Sequence, residues 1–256
     1  MKLKRAPATL PLTREQFIAQ ILTITGDTRL FWLPKNIDTT TSTDESLNAR
    51  VITYDATIAG QFSKVGLGDA VSFDGATDFG SIPDVANLSF GNGTTDSPFS
   101  IVAIANVADS AAVRRIVSKY NNITREWRFG ITGTDTLFFG FYDESLDVAP
   151  FRTSDAVITQ GSWRLFGGVY TAATGGATAA DDIILYQDGL PIASAPSNSP
   201  TYVAMEDTTS TINIGADGSP GSFFVGSMAL ILVVAKALTA SEMWAIYQAC
   251  SAYFNL

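Results

Sequence analysis

Few side chains in this sequence could carry a reaction. The 256 residues include no histidine and a single cysteine, Cys250. Without imidazole the usual general base and the commonest transition-metal ligand are missing, so a Ser-His-Asp triad, a zinc hydrolase site or a copper site would need rarer substitutes. One cysteine cannot form an internal disulfide, and Cys250 sits among apolar residues, where a thiol serves as a small buried side chain. The densest acidic group, Asp143, Glu144 and Asp147, follows an apolar run. It reads as a solvated turn, not as the opposed carboxylate pair that glycoside hydrolysis requires. Sugar binding asks for aromatic rings beside amides in a loop. Tyr120, Asn121 and Asn122 are the best such group, and a plain hairpin turn explains the same three residues. Asn87, Asn92 and Asn122 begin glycosylation-type sequons, which read as chance matches without an export signal. Lys2, Lys4 and Arg5 form a small positive cluster.

The overall charge narrows the partners. At −9 the chain lacks the basic footprint that phosphate backbones require, so nucleic acid is not expected. The first residues are basic, but Pro7 and Pro11 interrupt the adjoining stretch and no long apolar run succeeds it, so they are not read as a secretory signal. The most apolar stretch, residues 228–235, is too short to span a bilayer and reads as a buried strand.

The elements that must position these groups are mostly strands. Residues 161–170 (GSWRLFGGVY) and 183–186 (IILY) carry aromatic and β-branched side chains suited to a pleated, half-buried surface. Asp188-Gly189 then separates two apolar runs, a strong hairpin signal. The returning strand, residues 190–193, contains Pro191, which has no donor, so the strand should sit at an edge or be short. Residues 29–33, 51–54, 70–73, 99–107, 114–120, 127–131, 137–142 and 212–215 read as further strands. Residues 34–48 and 172–180 read as loops, the second as a mobile hairpin tip. Capping boxes at Thr13–Gln16 and Thr239–Glu242 predict two helices. The first runs to about Leu22 with Phe17, Ile18, Ile21 and Leu22 on one face. That face must be buried on the chain's own sheet or on a neighbouring subunit. Trp32, Trp127, Trp163 and Trp244 all lie in apolar patterns and are read as core.

A Trp-bearing strand ending in Gly-Val-Tyr, followed by Leu185-Tyr186-Gln187-Asp188-Gly189, resembles the laminin G-like, concanavalin A-like family. Residues 71–79 (VSFDGATDF) are similar to its opening element, and residues 82–84, 99–101, 116–119, 212–215, 224–226 and 237–242 follow in its order. The resemblance implies an all-β fold: an antiparallel two-sheet jelly-roll sandwich over residues 28–256. Residues 1–27 form an N-terminal arm and short helix, and a short helix closes the C-terminus. It also implies a structural calcium site at Asp74 and Asp78. Two points weigh against it: the family's closing acids are replaced by Met228-Ala229-Leu230-Ile231, and Asp in a turn commonly bonds its own backbone. No other cofactor is implied, and no catalytic residue.

The resulting expectation is a non-enzymatic structural or binding protein of a bacteriophage virion, made in the host cytoplasm without export signal or membrane segment. Lys2, Lys4, Arg5 and the Phe17, Ile18, Ile21, Leu22 face would fasten it to the major capsid protein or tail, as a homo-oligomer. The jelly roll would face outward, with a host-surface glycan as a further partner near Tyr120, Asn121 and Asn122. The alternative is a carbohydrate-binding lectin module of a cellular protein.

Overall fold

A computed structural model describes residues 12–256 apart from 36–39, 56–57, 59–60, 109–110 and 219–220. Lys2, Lys4 and Arg5 therefore lie outside the described residues. In chain order the strands are β1 (Thr28–Trp32), β2 (Thr41–Thr43), β3 (Val51–Tyr54), β4 (Phe62–Val65), β5 (Gly68–Asp74), β6 (Gly80–Ile82), β7 (Phe99–Val107), β8 (Arg114–Tyr120) and β9 (Arg125–Ile131). They continue with β10 (Thr136–Phe141), β11 (Phe151–Val157), β12 (Trp163–Tyr170), β13 (Ile183–Gln187), β14 (Leu190–Pro191), β15 (Ser194–Ser197), β16 (Ile212–Ile214) and β17 (Val225–Val234). Helices α1 (Arg14–Thr25) and α2 (Ala240–Phe254) flank them. One sheet runs β14-β13-β12-β7-β17-β5-β4, with β1 also paired to β17. The other runs β15-β11-β10-β9-β8-β16-β6-β3-β2, and every strand pair is antiparallel. This is the expected two-sheet sandwich.

Alternation builds two apolar layers. On β7, Phe99, Ile101, Ala103, Ala105 and Val107 enter the core between the sheets, while Val102 and Ile104 point to the opposite face. On β17 the register against β7 shifts between Met228 and Leu230. Such a bulge resets which side chains face inward, so Met228, Ile231 and Val233 serve the inner core and Leu230, Leu232 and Val234 the outer layer.

The outer layer is where α1 and α2 lie. Both helices have the capping boxes read from the sequence, with Thr13 paired to Gln16 and Thr239 to Glu242. Phe17 and Ile21 are fully buried. Phe17 stacks on Tyr253 at 4.2 Å between ring centroids and meets Phe254 edge-on at 5.6 Å. Ile18 and Leu22 pack around the same cluster. Arg14 fixes the start of the helix, donating to the Leu33 carbonyl at 2.9 Å and pairing with Glu45 at 2.6 Å. Phe17 and Ile21 thus pack on the chain's own outer layer, Ile18 and Leu22 stay half-buried, and three residues beyond Leu22 join the helix.

Some expectations require correction. Residues 172–180 are not a loose hairpin tip: a 3-10 turn spans Gly176–Asp182, with Ala179 and Ala180 fully buried. Small side chains there fit a tight corner against the core. Trp32 and Trp127 are core, but Trp244 is 40% exposed and Trp163 is half-buried. Asp143, assigned to a solvated turn, is 2% exposed. The polar run after Pro34 contains the edge strand β2. The Asp188-Gly189 hairpin is as expected, with φ of 51° and 77° at its two corner residues.

Candidate functional site

Three loops at one end of the sandwich enclose a cleft of about 190 Å³ lined by Thr94, Thr95, Asp96, Ala172, Thr174, Gly175, Gly176 and Val203. Each wall is held by an acceptor at its base. Asn92 Oδ1 accepts from the Thr94 and Thr95 amides at 3.0 and 2.9 Å, the side-chain-to-backbone turn that Asn favours. Asp182 Oδ2 accepts from the Thr174 and Gly175 amides at 2.7 and 2.8 Å. Asp96 joins the first wall to the third. Its Oδ2 accepts the Tyr170 and Tyr202 hydroxyls at 2.8 and 2.7 Å, and its Oδ1 accepts the Met205 amide at 2.8 Å. Gly91 lets these walls meet, since a Cβ there would lie 2.2 Å from the Met205 carbonyl oxygen.

Burial pushes the Asp96 carboxyl above its ordinary range, against the pull of the Tyr202, Met205 and Tyr170 donors. Burial and then the Asp96 charge push both tyrosines upward, so they stay protonated donors. A carboxylate has about four acceptor positions. Asp96, which lines the cleft, spends three of them. Asp143 is the acid that adds to the upward pressure on Asp96. Its own oxygens accept from Ser145, Leu146 and Val203 at 3.2, 3.1 and 3.1 Å, so it ties this end together.

The sequence-nominated residues lie elsewhere. Asn121 Oδ1 accepts the Ile123 and Thr124 amides at 2.8 Å each, closing the β8–β9 turn. Tyr120 leaves that turn and faces Arg128. Asp74 Oδ1 accepts the Ala76 and Thr77 amides at 2.8 Å and the Asp78 amide at 3.0 Å. Asp78 is fully buried and accepts the Asp74 amide at 2.8 Å. Both aspartates thus bind their own loop, and among the described residues no group of three or more acidic or thiol side chains is placed to hold a metal. Burial raises the Asp74 carboxyl, but the Thr77, Ala76 and Asp78 donors outweigh it and hold it at about 2. A carboxyl depressed when folded stabilises above its unfolded pKa near ~3.9, and the effect fades as pH falls towards 2. Asp74 is exposed, so the screened effect is at most ~1 kcal/mol. Chemical denaturation at pH 2.5 and 6 should show a smaller pH loss for Asp74→Asn than for the unmodified protein.

Glu144 and Asp147, the other acids of the nominated cluster, pair with Arg125 at 2.7 and 3.0 Å. Among the described residues no helix is long and apolar enough to cross a membrane.

No curated protein matches the sequence. Solved structures match the fold. The binding domain of Paraclostridial mosquitocidal protein 1 is 13% identical, with a TM-score of 0.64 over 88% of this chain and 52% of that one. The chain thus spans about half the length of that binding domain. Domain 4 of AbnA, a GH43 extracellular arabinanase from Geobacillus stearothermophilus, in complex with arabinotriose, is 15% identical, with a TM-score of 0.58 over 87% and 98%. The CBM40 of a Ruminococcus gnavus IT-sialidase, bound to α2,3-sialyllactose, is 10% identical, with a TM-score of 0.51 over 70% and 95%. The family model described as the concanavalin A-like lectin/glucanases superfamily, laminin G type 3, matches residues 74–243. With two opposed antiparallel sheets underneath that match, the chain belongs to the concanavalin A-like lectin/glucanase superfamily.

Proposed function

We propose that the protein is a non-enzymatic binding module that holds a saccharide in the cleft beside Asp96. The observation that carries this is the lining itself: hydroxyls of Thr94, Thr95 and Thr174, the backbone of Gly175 and Gly176, and the fixed Asp96 carboxylate. Sugar hydroxyls both donate and accept, and a site fastened beforehand by Asn92, Asp96 and Asp182 loses little entropy on binding. Fold-mates support the reading, since one is in complex with arabinotriose and another with sialyllactose. A single carboxylate lining the cleft suits recognition better than the paired acids of glycoside cleavage.

The setting we propose is a bacteriophage virion, with the jelly roll outward towards a host-surface glycan. Phe17 and Ile21 are buried within the chain, so attachment to the major capsid protein or tail, and any homo-oligomer, would fall to Lys2, Lys4 and Arg5 with the half-buried Ile18 and Leu22. A lectin module of a cellular protein would use the same cleft. Screening on a glycan array tests the binding reading. Val203 stands 46% exposed at the rim, so Val203→Trp should fold normally and obstruct the cleft. The expected result is at least a tenfold loss of glycan affinity at unchanged melting temperature. Full affinity in Val203→Trp, or no bound glycan on the array, would refute the assignment.

A further inference from the structure

A second surface lies on the nine-stranded sheet, on the face away from the core. The register places Arg115 of β8, Gly130 of β9, Phe138 of β10 and Thr153 of β11 in one row. The next row holds Ser118, Arg128, Gly140 and Phe151. Side chains alternate along each strand, so these rows share the face opposite Val117, Phe129 and Phe139, which are in the core. Four strands spaced ~4.8 Å apart make the surface about 15 Å wide.

Rings and guanidinium groups interleave across it. Arg128 lies over the Tyr120 ring at 4.5 Å and near Phe138 at 5.4 Å. Arg115 also approaches Phe138, at 5.2 Å. Phe138 meets Phe151 at 5.4 Å, and Tyr120 meets Tyr142 edge-on at 6.0 Å. Gly140 makes room for this layer, because a Cβ there would lie 2.9 Å from the Phe138 ring. Two of the three arginines are already engaged. Arg115 Nε contacts both Asp217 oxygens at 3.2 Å. Arg125 is held by Glu144 and Asp147 and lies 3.8 Å over the Tyr142 ring.

Arg128 differs. Among the described residues its side chain makes no hydrogen bond and no ion pair, and it is half-buried. Its cation is held by ring faces, which fix the guanidinium plane and leave its N–H edge unspent. A planar fork of donors matches a carboxylate through two parallel hydrogen bonds. Tyr120 is half-buried beside Arg128, and Phe138, only 7% exposed, packs against both Arg115 and Arg128. We infer that Arg128, with Tyr120 and Phe138 beside it, is a binding site for a saccharide that carries a carboxylate, separate from the Asp96 cleft. The negative groups nearby do not oppose this, because Asp217, Glu144 and Asp147 are each already paired with Arg115 or Arg125.

Calorimetric titration of the full chain with hexuronate- and nonulosonate-bearing oligosaccharides, each alongside its carboxyl-reduced form, tests this. Acidic forms should bind at least tenfold more tightly than their reduced partners. Arg128→Gln should abolish that preference while keeping the melting temperature, and Val203→Trp should leave it intact. The inference is overturned if no acidic form binds, if reduced forms bind equally well, or if Arg128→Gln retains the preference. Loss of the preference in Val203→Trp would also overturn it, by placing the acidic sugar in the cleft. Because the two variants act at separate places, failure here leaves the cleft assignment standing.

Discussion

Replacing Lys119 by methionine should cost about 3–5 kcal/mol, one of the two largest effects expected from any single change to this fold. Lys119 and Glu126 are both fully buried and paired. The ammonium also donates to the Ser89 hydroxyl at 2.9 Å and the Thr208 carbonyl at 3.0 Å, and meets Asp84 at 2.9 Å. Glu126 Oε1 accepts the Thr208 amide and hydroxyl at 2.8 Å each. These contacts pin residues 84–89 and 208 to β8 and β9. Without the lysine, a buried carboxylate is left with neutral donors and no cation. Burial already raises the Glu126 carboxyl against the opposing pull of Lys119. Removing that pull raises it further. In the window between the unfolded value near ~4.3 and the raised folded value, the native state binds more protons, so stability falls as pH rises. Urea denaturation should therefore find Lys119→Met closer to the unmodified protein at pH 5 than at pH 8. Lys119→Met with Glu126→Met should recover most of the loss, because apolar packing can replace a buried ion pair. A cost below ~1 kcal/mol for the single change would show that the pair is not fully desolvated.

Phe17→Ala carries a comparable cost, about 3–5 kcal/mol, through loss of a fully buried ring and the cavity left between α1 and α2. For a chain of this length that corresponds to a melting temperature lower by roughly 10 °C. The result also separates two roles for the helix. If α1 closes its own sheet, the loss appears in the isolated protein at any concentration. If α1 instead docked on a neighbour, the isolated protein would be unaffected and only assembly would fail. In the proposed virion setting, removal of residues 1–11 should abolish co-sedimentation with capsids while leaving the melting temperature unchanged. Retained co-sedimentation would remove the arm from the attachment role.

What the sequence discloses tracks the physics of burial. β3, β7 and β8 have the boundaries expected from their apolar patterns, and both helices start at their capping boxes. β11, with the pattern FRTSDAV, and the short β2 and β15 near the sheet edge escape a reading of this kind. A strand with little burial on either face needs no apolar alternation, and of these three only β11 has a buried residue, Ser154. The buried charges are hidden for another reason. A Lys or Glu within a strand reads as solvent-facing, and Thr208, which receives Lys119, is 89 residues further on. The candidate site is hidden likewise. Asp96 lies in a Gly, Asn and Thr loop where Asp ordinarily means a turn, and Tyr170 and Tyr202 stand 74 and 106 residues away. Tyr120 is legible as an exposed ring, but its partner Arg128 lies across a strand pair. The sequence offers one usable hint at the cleft: Tyr170 at the end of the Trp163–Tyr170 strand and a lone Asp96 just before the Phe99–Val107 strand.

The central claim is that the loop end around Asp96 receives a sugar. Backbone amide NMR during titration with a glycan selected on the array addresses it most directly. Shifts concentrated at residues 94–96, 174–176 and 203 are the expected result. Shifts confined to other surfaces, with those residues unmoved at saturation, would contradict it.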